Sequence, residues 1–218
     1  MIGSLLRRLR SDDGLTLVEL SVAMILGAMV SASLVTVFFA FAQNTGDHNR
    51  TAELQASVRG VVSTAVVDLR QGTTVSLNGH AVESMDEDQI IFYTDRHDTE
   101  GPERVVYERI DCVEGQCELW VRRFAAEAGT GPLWSFETTP FEESFLVGGV
   151  LADQALFGGL EWTGEPKTKT AVASCNGSSP ECDFPIVSIT LRVVPPGTTT
   201  SGASGAFELH EEVRIRNA

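Results

Sequence analysis

LTLVELSVAMILGAMVSASLVTVFFAFA, residues 15–42, is the stretch that decides the first part of the fold. Residues 20–42 contain no charged side chain. A helix of that length extends over about 34 Å, slightly more than the hydrocarbon core of a bilayer. The stretch therefore predicts a single transmembrane helix over residues 15–42.

A short basic segment precedes this helix. It reads MIGSLLRRLRSDDG and carries Arg7, Arg8 and Arg10. Because positive charges beside a membrane helix stay in the cytoplasm, the rest of the chain is expected to face outward. Glu19 lies inside the apolar stretch, where a carboxylate is costly, so it is a candidate functional residue. The simpler interpretation is that Glu19 marks the membrane boundary.

The residues Gly14-Leu15-Thr16-Leu17-Val18-Glu19-Leu20, after a basic leader and before a long apolar run, resemble the type IV prepilin signal. The resemblance implies that a prepilin peptidase removes residues 1–14 by cutting between Gly14 and Leu15, and then methylates the amine of Leu15. It also implies that the helix is retained and becomes the packing core of a filament. Two departures are Leu15, where the family most often has Phe, and the absence of proline before Pro102.

The physical role of Glu19 agrees with that resemblance. A carboxylate among apolar helices needs a cationic partner or becomes protonated. Cleavage creates an amine on Leu15 at the same depth, so Glu19 is expected to pair with the Leu15 amine of an adjacent subunit and fix the axial register. The alternatives are an uncleaved anchor and conventional secretion, because Ala40-Phe41-Ala42 resembles a signal peptidase site that would release a chain beginning at Gln43.

Residues 43–72 predict an amphipathic extension of the same helix. Apolar residues recur there at spacings of three and four, which places them on one face. These residues are Leu54, Val58, Val61, Val62, Ala65, Val66 and Leu69. Gly72 is a good helix terminator and Gly46 is the expected flexible point.

Residues 73–218 form the predicted extracytoplasmic domain, with short β-rich runs separated by turn residues. The candidate strands are residues 89–94, 104–110, 118–124, 144–150, 156–162, 186–194 and 206–216. We therefore expect an α+β fold in which the long helix packs on an antiparallel sheet. The resemblance implies a pilin-like architecture, and the segment Thr51 to Gln71 followed by a β-rich domain is similar to minor pilins and minor pseudopilins. Trp120, Trp134 and Trp162 are expected in the core.

The four cysteines occur as two close pairs, Cys112 with Cys117 and Cys175 with Cys182. Such pairs suit disulfides in an oxidising compartment, and neither has the spacing of a zinc knuckle. Four cysteines allow three connectivities, so the sequence leaves the pairing open. The candidate disulfide residues agree with the outward orientation of the domain.

Composition excludes several functions. The formal net charge of -14 argues against contact with nucleic acid. The histidines lack metal-ligand spacing, and no nucleophile elbow, P-loop or dinucleotide motif occurs, so neither an enzyme nor a cofactor is expected. The sequence thus predicts a structural, non-enzymatic subunit of a type IV pilus or related pseudopilus, located in the cell membrane and then in an external filament. Its expected partners are the prepilin peptidase, other pilin subunits, the inner-membrane assembly platform and the membrane. The alternative is a membrane-tethered or secreted ligand-binding module.

Overall fold

The computed structural model describes residues 16–75, 80–96, 101–128, 134–163, 168–176, 182, 184–195 and 206–215. The chain divides into two compact units, Met1–Arg50 and Thr51–Ala218. The predicted leader, residues 1–14, lies outside the described residues.

One helix, α1, runs from Leu17 to Arg70. This confirms the long helix that the apolar run and the amphipathic stripe predicted. The helix is continuous through Gly46. At its end, the amide of Gln71 donates to the carbonyls of Val67 and Asp68, and Gly72 pairs with Thr94 of the sheet.

Ten strands follow the helix in the described part of the chain. They are β1 (Val82–Met85), β2 (Gln89–Thr94), β3 (Glu103–Val113), β4 (Gln116–Ala125), β5 (Glu142–Leu151), β6 (Phe157–Thr163), β7 (Thr168–Val172), β8 (Cys175–Asn176), β9 (Ile186–Val193) and β10 (Phe207–Arg214). All seven strands expected from the sequence are confirmed, with ends that shift by a few residues. Strands β1, β7 and β8 were not predicted from the sequence.

The strands form one antiparallel sheet in the order β7-β6-β9-β5-β4-β3-β2-β1-β8, and β10 pairs with β9. Strand β9 is the branch point. One of its edges pairs with β6 and, through Val193 and Val150, with β5. Its other edge pairs with β10 over the whole of Phe207–Arg214. The α+β layout is therefore that of a helix followed by a large antiparallel sheet.

The core of the second unit lies between the sheet and residues 51–70 of α1. Val58, Val62 and Leu69 are almost completely buried, as the spacing of three and four predicted. They pack with inward-facing strand residues such as Phe92 and Leu191. Because burying a side chain of this size contributes about 1.5–3 kcal/mol, this stripe is sufficient to fix the helix segment on the sheet.

The hairpin between β3 and β4 explains one of the cysteine pairs. Val113 pairs with Gln116 and encloses Glu114 and Gly115, both with positive φ (51° and 77°). Positive φ at both central residues is typical of a type I′ turn, whose twist matches that of the strands. The turn brings the two strand ends together, and a disulfide joins Cys112 to Cys117 across it.

A second disulfide joins Cys175 to Cys182. Cys175 belongs to β8, which pairs with β1 through Met85. Of the three connectivities that the sequence allowed, the structure therefore has the one in which each cysteine pairs with its near neighbour in the chain. Both sulfur bridges lie in the second unit, and an oxidising, extracytoplasmic setting suits them.

The expectation that the three tryptophans lie in the core is wrong: Trp120 and Trp134 are only half-buried, and Trp162 is 49% exposed. Its indole ring lies on the outer side of the β6–β7 hairpin, with the Nζ atom of Lys169 5.8 Å from the ring centroid. A cation over an indole face stabilises an exposed tryptophan, so Trp162 needs no place in the core.

Candidate functional site: the amino-terminal helix

The start of α1 is held by a reciprocal pair of hydrogen bonds between Thr16 and Glu19. The Thr16 amide and hydroxyl both donate to Glu19 Oε2, each at 3.0 Å. The Glu19 amide donates to Thr16 Oγ1 at 3.2 Å. This arrangement is a capping box, which satisfies backbone donors that have no partner inside the helix.

The capping box is a role of Glu19 that the sequence analysis missed. The signal was present, because Thr16-Leu17-Val18-Glu19 before an apolar run matches the S/T-x-x-E pattern. Only one carboxylate oxygen of Glu19 is used by the box, and Glu19 is exposed. The cap therefore leaves Oε1 available for a cation from outside the chain.

Three hydroxyl groups of the apolar segment, and that of Thr45 just beyond it, bond within the helix. The hydroxyls of Ser21 and Thr45 donate to the carbonyls four residues earlier, and those of Ser33 and Thr36 to the carbonyls three residues earlier, all at 2.8 Å. Since each hydroxyl proton already has an acceptor, these side chains add little cost when the helix surface enters an apolar environment.

The apolar side chains of the first unit are exposed. At least half of the surface of each is accessible, from 50% for Val22 to 82% for Leu17. The residues are Leu17, Val18, Leu20, Val22, Met24, Ile25, Leu26, Met29, Val30, Leu34, Val35, Val37, Phe38, Phe39 and Phe41. A continuous apolar surface of this size requires a cover. By length and composition, this segment could act as a membrane anchor.

The other processing residues that the sequence singled out, Gly14 and Leu15, lie outside the described residues. The pairing of Glu19 with the Leu15 amine of a neighbouring subunit therefore stays a prediction. The four cysteines belong to the second unit, and the structure joins them in two local disulfides.

Within the second unit, the structure reveals a buried carboxylate on the helix, Asp68, which is 0% exposed. Asp68 Oδ2 accepts hydrogen bonds from Arg123 Nη2 at 2.5 Å and from the Tyr107 hydroxyl at 2.7 Å. Arg96 donates to its other oxygen. Asp68 thus links the last turns of α1 to strands β3 and β4 by charge-assisted hydrogen bonds.

The electrostatics of this cluster keep Arg123 charged and Tyr107 neutral. Burial lowers the pKa of Arg123, but the charge and hydrogen bond of Asp68, together with the charges of Tyr107 and Glu142, outweigh burial, so the net direction is upward. Burial, with Asp68 as the second cause, raises the pKa of Tyr107 well above its ordinary value. In the sequence, Asp68 only flanks the apolar stripe that ends at Leu69. A charged residue so close to Ala65 and Leu69, which lie on the predicted buried face, was the available signal that Asp68 would pair with a buried group.

No group of three or more His, Cys, Asp or Glu side chains in the described part of the chain is placed to hold a metal ion. The fold and the helix define an α+β protein with an exposed apolar helix and a disulfide-bonded sheet unit. The chain matches no protein-family model, no curated protein and no solved structure.

Proposed function

We propose that this protein is a structural subunit of a type IV pilus or of a related pseudopilus. The observation that carries the proposal is the exposed apolar segment of α1, which begins at Leu17, directly after the prepilin-like residues Gly14 to Thr16, and contains Glu19. An apolar helix with 23 uncharged residues can span a membrane and later pack against the apolar helices of neighbouring subunits. A soluble domain with two disulfides suits the external end of such a subunit.

The mechanism is assembly rather than catalysis. The peptidase cuts between Gly14 and Leu15, the apolar segments of neighbouring subunits pack side by side, and Glu19 pairs with the Leu15 amine of a neighbour. Opposite charges at one depth favour a single axial register, because any other register leaves a carboxylate without a counter-charge in an apolar environment. The capping box supports this role, since it orients the Glu19 side chain at the helix start while leaving Oε1 available.

The proposed partners are the prepilin peptidase, the inner-membrane assembly platform and other pilin subunits. The likeness of residues 51–71 and the following β-rich domain to minor pilins and minor pseudopilins supports a minor subunit. The protein would reside in the cell membrane with its globular unit outside the cytoplasm, and then in the filament.

Mass spectrometry of the amino-terminal peptide, from protein isolated out of its native membrane, tests the proposal. We expect a chain that starts at Leu15 and is heavier by one methyl group. A start at Gln43 would identify a conventionally secreted protein and overturn the filament role. A start at Met1 would identify an uncleaved anchor, and would equally exclude prepilin processing.

A further inference from the structure

Three exposed arginines line a cleft in the globular unit, and none of them has an ion-pair partner among the described residues. The cleft lies between α1 and β10. It comprises two hollows of about 370 and 540 Å³ that share Arg70. We call it the helix–β10 cleft, defined by Arg59, Val62, Val66, Arg70, Leu209 and Arg214.

The unpaired state of these arginines is unusual for this chain. The arginines at positions 96, 104, 109, 122, 123 and 192 each form an ion pair with a carboxylate. The chain has 30 acidic and 16 basic residues, so acidic partners are abundant. Arg59, Arg70 and Arg214 nevertheless face the cleft, and Glu211 is the one acidic residue among the described residues that line it. The cleft is therefore a basic site on an acidic protein, and charge complementarity favours an anionic occupant.

The shape of the cleft favours an extended chain over a small anion. Its floor is apolar, because Val62 is buried, and Val66 and Leu209 are partly buried against the core. One wall is β10, which pairs with β9 along its whole length and with no other described strand. The outer edge of β10 therefore presents backbone donors and acceptors that an added strand can bond.

The spacing of the arginines fits a strand. Arg59 and Arg70 are three helical turns apart, on one face of α1 and separated by about 16 Å of rise. Two side chains on one face of an extended strand, four residues apart, lie about 13 Å apart. The length of the arginine side chains covers the difference. A strand beside β10 can thus present two carboxylates to the helix with an apolar side chain between them.

We propose that the helix–β10 cleft binds an extended acidic segment of a partner protein. The segment adds to the free edge of β10, and its carboxylates pair with Arg59 and Arg70 while Arg214 lies at the end of the cleft. This inference concerns the globular unit and does not depend on the proposed filament role.

The test measures fluorescence anisotropy of a labelled peptide with the full-length protein in phosphatidylcholine nanodiscs. The peptide has about nine residues, two glutamates four positions apart, a valine midway between them and threonines at alternate positions. We expect saturable binding that weakens as salt is added, because the charge pairs are partly exposed. Arg59→Ala combined with Arg70→Ala should weaken binding by about tenfold or more. Arg50→Ala is the matched control, since Arg50 is an exposed helix arginine outside the cleft, and it should leave binding unchanged.

Two further measurements address the mode of binding. The same peptide with N-methyl groups on alternate residues should lose binding, because it cannot donate to the edge of β10. Equal affinity of the methylated peptide would overturn strand addition. Unchanged affinity of the double arginine variant would overturn the site itself. Complete displacement by inorganic phosphate at constant ionic strength would identify a simple anion site and overturn a peptide partner.

Discussion

At the level of single residues, Glu19 caps the helix through Thr16 and is proposed to pair with the Leu15 amine of a neighbour. One substitution can separate these two roles. Glu19→Gln keeps an oxygen that accepts from Thr16, but it removes the negative charge. If Glu19 pairs with the Leu15 amine, the neutral amide gives that amine no counter-charge. We therefore expect the recovery of the Gln variant in isolated filaments to fall by about tenfold or more, while its amount in the membrane stays normal. Quantitative mass spectrometry of both fractions measures this ratio.

Thr16→Val is the matched control for the helix cap. It removes the hydroxyl that accepts from the Glu19 amide, and it leaves the carboxylate in place. Loss of a capping hydroxyl loosens the first turn only, so we expect incorporation close to that of the unchanged protein. The opposite pattern, in which the Val variant fails and the Gln variant assembles, would reduce Glu19 to a capping residue.

At the level of elements, Asp68 is the charge that attaches the last turns of α1 to the sheet. Asp68→Asn removes the nearest of three carboxylates around Arg123, whose side chain is 4% exposed, and leaves it Glu142 at 3.2 Å and Glu103 at 3.9 Å. Leaving a buried charge without any partner costs about 3–5 kcal/mol. Because Glu142 still pairs with Arg123, we expect the free energy of unfolding to fall by about 3 kcal/mol, the lower end of that range. Urea denaturation of the full chain in detergent, followed by tryptophan fluorescence and circular dichroism, measures the change.

The comparison variant for Asp68 is Glu212→Gln. Glu212 pairs with Lys169 on the surface, where the two side chains are 38% and 39% exposed. Solvent screens such pairs, so removing one should cost less than about 1 kcal/mol. Equal losses for the Asp68 and Glu212 variants would show that the buried cluster adds no more stability than a surface pair.

Whether an element could be predicted from the sequence depends on how far apart along the chain its contacting residues lie. The stripe through Val58 and Leu69 is a local periodicity, and it correctly gave the helix and its buried face. Strands β2 and β9 alternate buried and half-buried residues, so they were predicted as well. Strand β8 has two residues and exists through β1 and a disulfide, and β7 is an exposed edge with few apolar residues. Neither carries a periodic signal.

At the level of the whole molecule, the sequence predicted an apolar helix followed by a β-rich domain but no strand order. The order depends on pairings between distant residues, such as Val150 with Val193, and no local pattern specifies them. The helix–β10 cleft was missed for the same reason, because Arg70 and Arg214 line one hollow only when β10 joins the sheet. In contrast, the cap at Glu19 uses residues three positions apart, so it could have been predicted from the sequence.

The two tyrosines make the stability of the whole globular unit sensitive to alkaline pH. Burial, followed by the charge of Glu83, raises the pKa of Tyr93, and burial with Asp68 raises that of Tyr107. In the unfolded chain both ionise near pH 10. Above that pH the unfolded state loses two protons that the folded state keeps, so the free energy of unfolding falls as pH rises. Each tyrosine contributes a slope of up to about 1.4 kcal/mol per pH unit.

Urea denaturation between pH 8 and about pH 11 measures this slope. Tyr107→Phe lowers stability at every pH because it removes the hydrogen bond to Asp68, but it should also flatten the alkaline slope by about half. The double variant with Tyr93→Phe should abolish most of the slope. Since the slope depends on proton release and not on absolute stability, an unchanged slope in the double variant would show that the two phenols ionise as readily in the folded protein as in the unfolded chain.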